Sequence, residues 1–168
     1  MKTITFSIAL LLASAGLFAQ NSKIDEVFDK FQGKDGITTI TLTSDLLKFA
    51  SEMEAKDSGD MRFLKNITQV RIIAFEKAIA QDIVAFENIV KEIPLTGYKE
   101  LMVIKENKNN VRMLAKENLG RWSDFLLIVT GDKDHALINI QGSVSPKELH
   151  GLSKSMHVNG MAYVNKLK

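Results

Sequence analysis

Apolar residues recur along the first third of the chain with two different periods. One face of a predicted first helix, capped by Ser22 and ended by Gly33, consists of Ile24, Val27, Phe28 and Phe31. The segment Ile37 to Thr43 instead alternates aliphatic residues with threonines, which predicts a strand with one face toward solvent. The folded part of the chain is therefore predicted to begin with a helix that is followed by a strand.

The next segments continue this alternation of helix and strand. A second helix is predicted to start at Ser44-Asp45, and the polar stretch 54–65 is predicted to be a loop with at most one helical turn. A strand follows over 67–75. The most regular helix is predicted over 76–92, where Pro94 prevents its continuation.

The second half of the chain has the pattern of successive strands. These strands are predicted over 98–106, 111–118, 123–130 and 135–141, and short turn clusters between them favour antiparallel neighbours. Phe125 to Val129 is apolar on both faces, which predicts a central strand covered twice. Ser145-Pro146-Lys147-Glu148 is typical of a helix start, and the structure of 158–168 is left open between strand and helix.

The order of elements, α-β-α-β-α-β-β-β-β-α, predicts the α+β class. We expect a two-layer sandwich in which helices pack on a largely antiparallel sheet of about six strands. No internal repeat or low-complexity linker divides the chain, so a single domain is expected over residues 20–168.

Residues 1–19 have the layout of a secretory signal peptide. Lys2 precedes a short apolar run, and small residues follow that allow cleavage after either Ala15 or Ala19. The run is too short to cross a hydrocarbon layer of about 30 Å comfortably, so no stable membrane anchor is expected after cleavage. These features predict export, to the periplasm in the first instance, with secretion or surface association as alternatives.

Charge and composition exclude several classes of function. A formal net charge of +2 over 168 residues provides no basic surface for nucleic acid. The chain has no cysteine, which excludes disulfides, thiol catalysis, cysteine-based metal sites and a lipid-modified cysteine.

The polar residues form no recognisable catalytic, cofactor or metal motif. No nucleophile elbow, phosphate-binding loop or dinucleotide fingerprint is present. His150 and His157 share a helix face only if the last helix extends that far, and a zinc site would need a third ligand such as Glu148 or His135. We therefore predict no enzyme activity, cofactor or metal, and regard a hydrolase or metalloenzyme as the least favoured reading.

Two candidate binding sites remain. The first is an interaction hairpin, in which crossed Lys/Glu pairs stabilise the register and protect the ends, comprising Tyr98, Lys99, Glu100, Met102, Lys105, Arg112 and Met113. The second is a pocket for a small apolar ligand between helices and sheet, lined by Phe49, Phe86 and Phe125.

Several segments taken together resemble a known family. The signal peptide is followed by GITTITLTSDLL, ITQVRIIAF, YKELMVIKE and FLLIVTGDKDHALINIQGSVSPKELHGL, in that order. This arrangement is similar to the family of the domain of unknown function 4252, small exported proteins of Bacteroidetes-type bacteria. The resemblance implies an extracytoplasmic location and points to envelope signalling, and it supplies no catalytic residue or cofactor.

The leading functional expectation is therefore an exported, non-enzymatic domain that binds another envelope or secreted protein. A sheet edge or the hairpin would provide the binding surface. The alternative is a carrier for a small apolar ligand.

Overall fold

A computed structural model describes residues 19–53 and 61–144. The helices and strands are α1 (Ala19–Phe31), β1 (Ile37–Thr43), α2 (Ser44–Met53), a 3-10 helix (Met61–Asn66), β2 (Ile67–Phe75), α3 (Ala80–Lys91), β3 (Tyr98–Glu106), β4 (Asn109–Asn118), β5 (Arg121–Thr130) and β6 (His135–Val144). The apolar run of the predicted signal peptide, the helix predicted from Ser145 and the tail lie outside the described residues. No helix in the described ranges is long and apolar enough to span a bilayer.

The six described strands form one antiparallel sheet in the order β1-β2-β6-β5-β4-β3. Short turns make β3, β4, β5 and β6 successive hairpin neighbours, as the sequence predicted. β6 then inserts beside β2, where Ile72 pairs with Ile138 and Ile73 with Leu137. This last pairing joins the two halves of the chain and confirms the α+β class with a six-stranded sheet.

Helical segments lie on both faces of this sheet. On the α1/α3 face, α1 and α3 pack over a cluster that includes Ile73, Leu126, Ile128 and Leu137. On the opposite face, here called the α2 face, α2 and the 3-10 helix contribute to a second cluster. β5 is buried on both sides from Asp124 to Val129, so the prediction of a doubly covered central strand is confirmed.

The predicted helix over 76–92 was placed too early at its N-terminus. The amides of Glu76 and Lys77 both donate to the carbonyl of Gly36, at 2.9 and 3.1 Å, which ties this backbone to the turn before β1. Ile79 is extended, and α3 starts only at Ala80. Gly36 has φ 73°, and a Cβ there would collide with the backbone of Lys77, so this close approach requires glycine.

Candidate interaction site

The β3–β4 hairpin contains one Lys/Glu ion pair of the kind expected and a second pair formed by an arginine. The Lys99 Nζ atom lies 2.5 Å from Glu117 Oε2, and Arg112 Nε lies 2.8 Å from Glu100 Oε1. Both pairs are at least partly exposed and join directly adjacent strands. They therefore support the hairpin register and contribute modestly to stability, about 0–1 kcal/mol each.

The other predicted hairpin residues are divided between the two faces of the sheet. Met102 and Met113 pair across the strands and pack, half-buried, against the core of the α2 face. Tyr98 packs against the cluster on the α1/α3 face. Lys105 remains exposed near the turn. The seven residues consequently do not form one continuous binding surface.

A surface depression brings three of the predicted hairpin residues together. It has a volume of about 320 Å³ and is lined by Glu100, Val103, Lys105, Asn110 and Arg112. The Arg112–Glu100 ion pair lies within this lining and partly neutralises its charge. The depression has polar groups suited to a small charged molecule, but no feature of it selects one class of ligand.

A chain of buried and half-buried polar side chains crosses the α1/α3 face. Asn139 donates from Nδ2 to Asp124 Oδ1 at 2.8 Å and accepts at Oδ1 from Arg71 Nη2 at 3.1 Å. Arg71 Nη1 continues the chain to Asp25 Oδ1 of α1 at 2.6 Å, and the Arg71 guanidinium stacks over the Phe28 ring. We call Asp25, Arg71, Asn139, Asp124 and Tyr98 the polar row.

Tyr98 ends the polar row at β3. Its hydroxyl donates to Asp124 Oδ2 at 2.5 Å. Burial, followed by this hydrogen bond and the charge of Asp124, raises the pKa of the Tyr98 phenol far above its ordinary value. The phenol therefore stays protonated at neutral pH and acts as a donor, which suits it to linking β3 to β5 across the intervening β4 and not to acting as a base.

The polar row could not be identified from the sequence. Polar residues that alternate with aliphatic ones along a strand are commonly exposed to solvent, whereas Asn139 is 0% exposed. Along their strands, Arg71 alternates with Val70 and Ile72, and Asn139 alternates with Ile138 and Ile140. To predict that these residues contact one another, one must know that α1 covers this side of the sheet and that the strands carrying them are neighbours.

The three phenylalanines predicted to line a ligand pocket do not meet. Phe86 belongs to the cluster on the α1/α3 face, and Phe125 belongs to the cluster on the other side of the sheet. Phe49 lies on α2 with most of its side chain exposed. A sheet of backbone therefore separates Phe86 from Phe125, and these residues line no common cavity.

Of the histidines considered as metal ligands, only His135 falls within the described ranges. It is buried, its Nε2 lies 3.2 Å from Glu87 Oε1, and its ring contacts Phe75 and Phe86 edge-on. Residues 19–53 and 61–144 contain no group of three His, Asp or Glu side chains placed to hold a metal ion. His150, His157 and Glu148 lie outside the described residues.

The two edge strands of the sheet differ sharply in character. β3 carries Lys99, Glu100, Lys105 and Glu106 and has a β-bulge between Glu100 and Met102. β1 has the sequence ITTITLT, without a charged residue, and within the described part of the chain it pairs only with β2. Charges and bulges are the usual means by which edge strands are protected from further pairing, and β1 has none of them within its seven residues.

The helix that follows β1 carries an exposed apolar stripe. Leu46, Phe49 and Met53 occur at i, i+3 and i+7, and these residues are 50, 58 and 65% exposed. Leu47, on a different side of α2, is buried against the sheet. α2 follows β1 directly and contacts both β1 and β2, so the stripe belongs to the helix that packs on the sheet at this end. We call the outer edge of β1 together with these three side chains the β1/α2 surface.

Comparison with known proteins identifies one family. The model of the domain of unknown function DUF4252 matches residues 31–152, which is more than half of the chain and includes β1 through β6. No curated protein and no solved structure matches the chain. The chain belongs to the DUF4252 family.

Proposed function

We propose that this chain is an exported, non-enzymatic protein-binding domain of the bacterial envelope, and that it binds its partner at the β1/α2 surface. The observation that carries the proposal is the uncharged outer edge of β1, next to an exposed apolar stripe on α2. A β-strand of the partner would pair with β1 and extend the sheet.

The backbone of β1 provides the binding groups. An edge strand directs a row of N–H and C=O groups away from its neighbour, and an added strand can satisfy all of them. A partner approaching the β3 edge would have to accommodate four charged side chains and a bulge. β1 presents only Thr, Ile and Leu side chains, which have high β-propensity and no desolvation penalty for charge.

The stripe on α2 adds apolar contact to this pairing. Exposed apolar groups that are contiguous on a surface commonly mark sites of protein association. Ile40 pairs with Ile72, which puts its side chain on the same face of the sheet as α2. A partner strand on β1 would therefore have Ile40, Leu46 and Phe49 on one side of it as an apolar lining.

Export is supported by the basic start, short apolar run and small residues within 1–19. We expect the product made by a bacterial host from the full coding sequence to begin at Gln20 or Gly16, depending on whether cleavage follows Ala19 or Ala15. Intact mass spectrometry of the purified product measures this directly. A cytosolic product that retains Met1 would contradict the envelope part of the proposal.

A single charge on the β1 edge should strongly weaken partner binding. Ile40→Lys places an ammonium group at the centre of β1, where an incoming strand would have to desolvate it. We expect the retention of a partner from an envelope extract of the producing bacterium to fall by at least about tenfold relative to the unmodified chain. Affinity capture with quantitative mass spectrometry, in which an untagged copy of this chain counts as a partner, provides the measurement.

Val103→Lys is the matched control, because Val103 and Ile40 are both 40% exposed and both lie on edge strands. Both substitutions should change the free energy of unfolding only slightly, since each lies on the surface. Retention by the Val103→Lys chain should equal that of the unmodified chain. If the unmodified and Ile40→Lys chains retain the same proteins in the same amounts, β1 is not the binding edge.

A further inference from the structure

We infer that the partner strand at β1 is β1 of a second copy of the same chain, paired antiparallel about a two-fold axis at Ile40. The inference rests on the proposed function and names the partner of the same surface. The two six-stranded sheets would then form one continuous sheet, joined where the two β1 strands pair; we call this junction the seam. Closed two-fold dimers of this kind use the same patch on both copies.

The first argument is the self-complementarity of β1. Residues directly opposite each other in an antiparallel pair point to the same side of the sheet, so a register centred on Ile40 keeps like faces together. This register also gives every residue of the seven-residue strand a partner. On the α2 face Ile40 meets Ile40 and Thr38 meets Leu42, and on the other face Thr39 meets Thr41. Such aliphatic and Thr–Thr pairs stabilise neighbouring strands.

The second argument is charge. When two identical strands pair in this way, residues at equal distances on either side of the central residue lie opposite each other. Two like charges at such positions therefore face each other across the strand pair. On β3, a register centred on Met102 would put Lys99 opposite Lys105 of the second copy at both ends of the strand. Like charges opposite each other destabilise strand pairs. β1 has no charge at all, so self-pairing meets no such repulsion at this edge.

The third argument is area. A pair of short strands alone buries less than the roughly 800 Å² per partner that stable dimers typically bury. The two-fold axis of the seam is perpendicular to the sheet, so α2 of both copies lies on the same face and flanks the seam. The exposed side chains of Leu46, Phe49 and Met53 from each copy then add apolar area beside the paired strands.

The absence of cysteine from the chain allows a direct test of this register. Residues opposite each other have Cβ atoms about 4.5–5.5 Å apart, so Ile40→Cys should crosslink to itself under mild oxidation or with a short thiol-to-thiol reagent. Thr43→Cys, three residues along the same strand, would place the two thiols about 20 Å apart. We expect Ile40→Cys to form a covalent dimer and Thr43→Cys to remain uncrosslinked.

Light scattering on the product purified from the full coding sequence supplies the second measurement. The unmodified chain and the Val103→Lys variant should have the mass of a dimer, and the Ile40→Lys variant should have the mass of a monomer. Phe49→Glu, which leaves β1 intact, should weaken the dimer and shift its dissociation to higher protein concentration. Circular dichroism verifies that each variant is folded.

The outcomes separate this inference from the proposed function. A folded unmodified chain that is monomeric at all concentrations overturns the second-copy inference; if it still retains an envelope protein through Ile40, the proposed function stands. A monomer that retains nothing overturns both. A dimer that survives Ile40→Lys, or that crosslinks equally through Thr43→Cys, uses another surface or register and also overturns the inference.

Discussion

Replacing Phe86 with alanine should lower the free energy of unfolding by about 3–5 kcal/mol. The Phe86 side chain is 0% exposed and lies in an aromatic cluster, with its ring centroid 4.6 Å from that of Phe75 and 6.3 Å from that of Phe31. Alanine would leave a cavity where α3 packs on α1 and the sheet, because the rings around it are themselves buried and held in place. Urea denaturation followed by circular dichroism measures the change.

Val84→Ala is the control for this prediction, since Val84 lies on the same helix and is 57% exposed. Its effect should stay within about 0.5 kcal/mol. Phe86→Leu retains most of the apolar volume, so it should cost about 1–2 kcal/mol and remain folded if the alanine variant does not. Equal effects of Phe86→Ala and Val84→Ala would show that α3 contributes no core.

Asn139→Ala should cost about 3 kcal/mol, although it removes only a small polar side chain. Asn139 is the central member of the polar row, donating to the Asp124 carboxylate and accepting from the Arg71 guanidinium. Alanine would leave a buried carboxylate and a half-buried guanidinium each without one partner. A charged group that loses a partner inside the protein cannot recover it from water, so the loss exceeds that of an ordinary hydrogen bond. Denaturation in urea is again the measurement.

A double-mutant cycle with Asp124→Ala identifies the cause. If the network acts as a unit, the combined loss should be clearly smaller than the sum of the single losses. Glu117→Ala, which removes the exposed ion pair with Lys99, is the comparison and should cost no more than about 1 kcal/mol. Strictly additive losses, or an Asn139→Ala effect as small as that of Glu117→Ala, would mean that the polar row is not a coupled structural element.

Much of the fold follows from local periodicity. The buried face of α1 was predicted residue by residue, and the bounds of β1, β2 and β3 match the predicted segments. These elements depend on the repeat of 3.6 or 2 residues that the backbone itself imposes. The start of α3 was predicted wrongly because Glu76 and Lys77 bond to Gly36, a contact forty residues away in the chain that no local pattern records.

The candidate site was less predictable. A Lys/Glu ion pair such as Lys99–Glu117 could be anticipated because its partners lie on strands joined by a short turn. The sequence could not show whether Phe49, Phe86 and Phe125 line one pocket, because this depends on which face of the sheet each element packs against. The burial of Asn139 could not be predicted for the same reason, since the packing of α1 on this side of the sheet makes it an interior.

By itself, the sequence determined the α+β class, the antiparallel second half, the doubly covered centre and the absence of thiol chemistry. Only the tertiary structure decided that β6 pairs with β2, and this pairing places β1 and β3 at the two edges of the described sheet. The physical reason is that hydrogen bonds between strands distant in sequence leave no local periodic trace. The sequence of β1 shows that the strand has no charged residue. That β1 is an edge strand of the described sheet depends on which strands lie beside it.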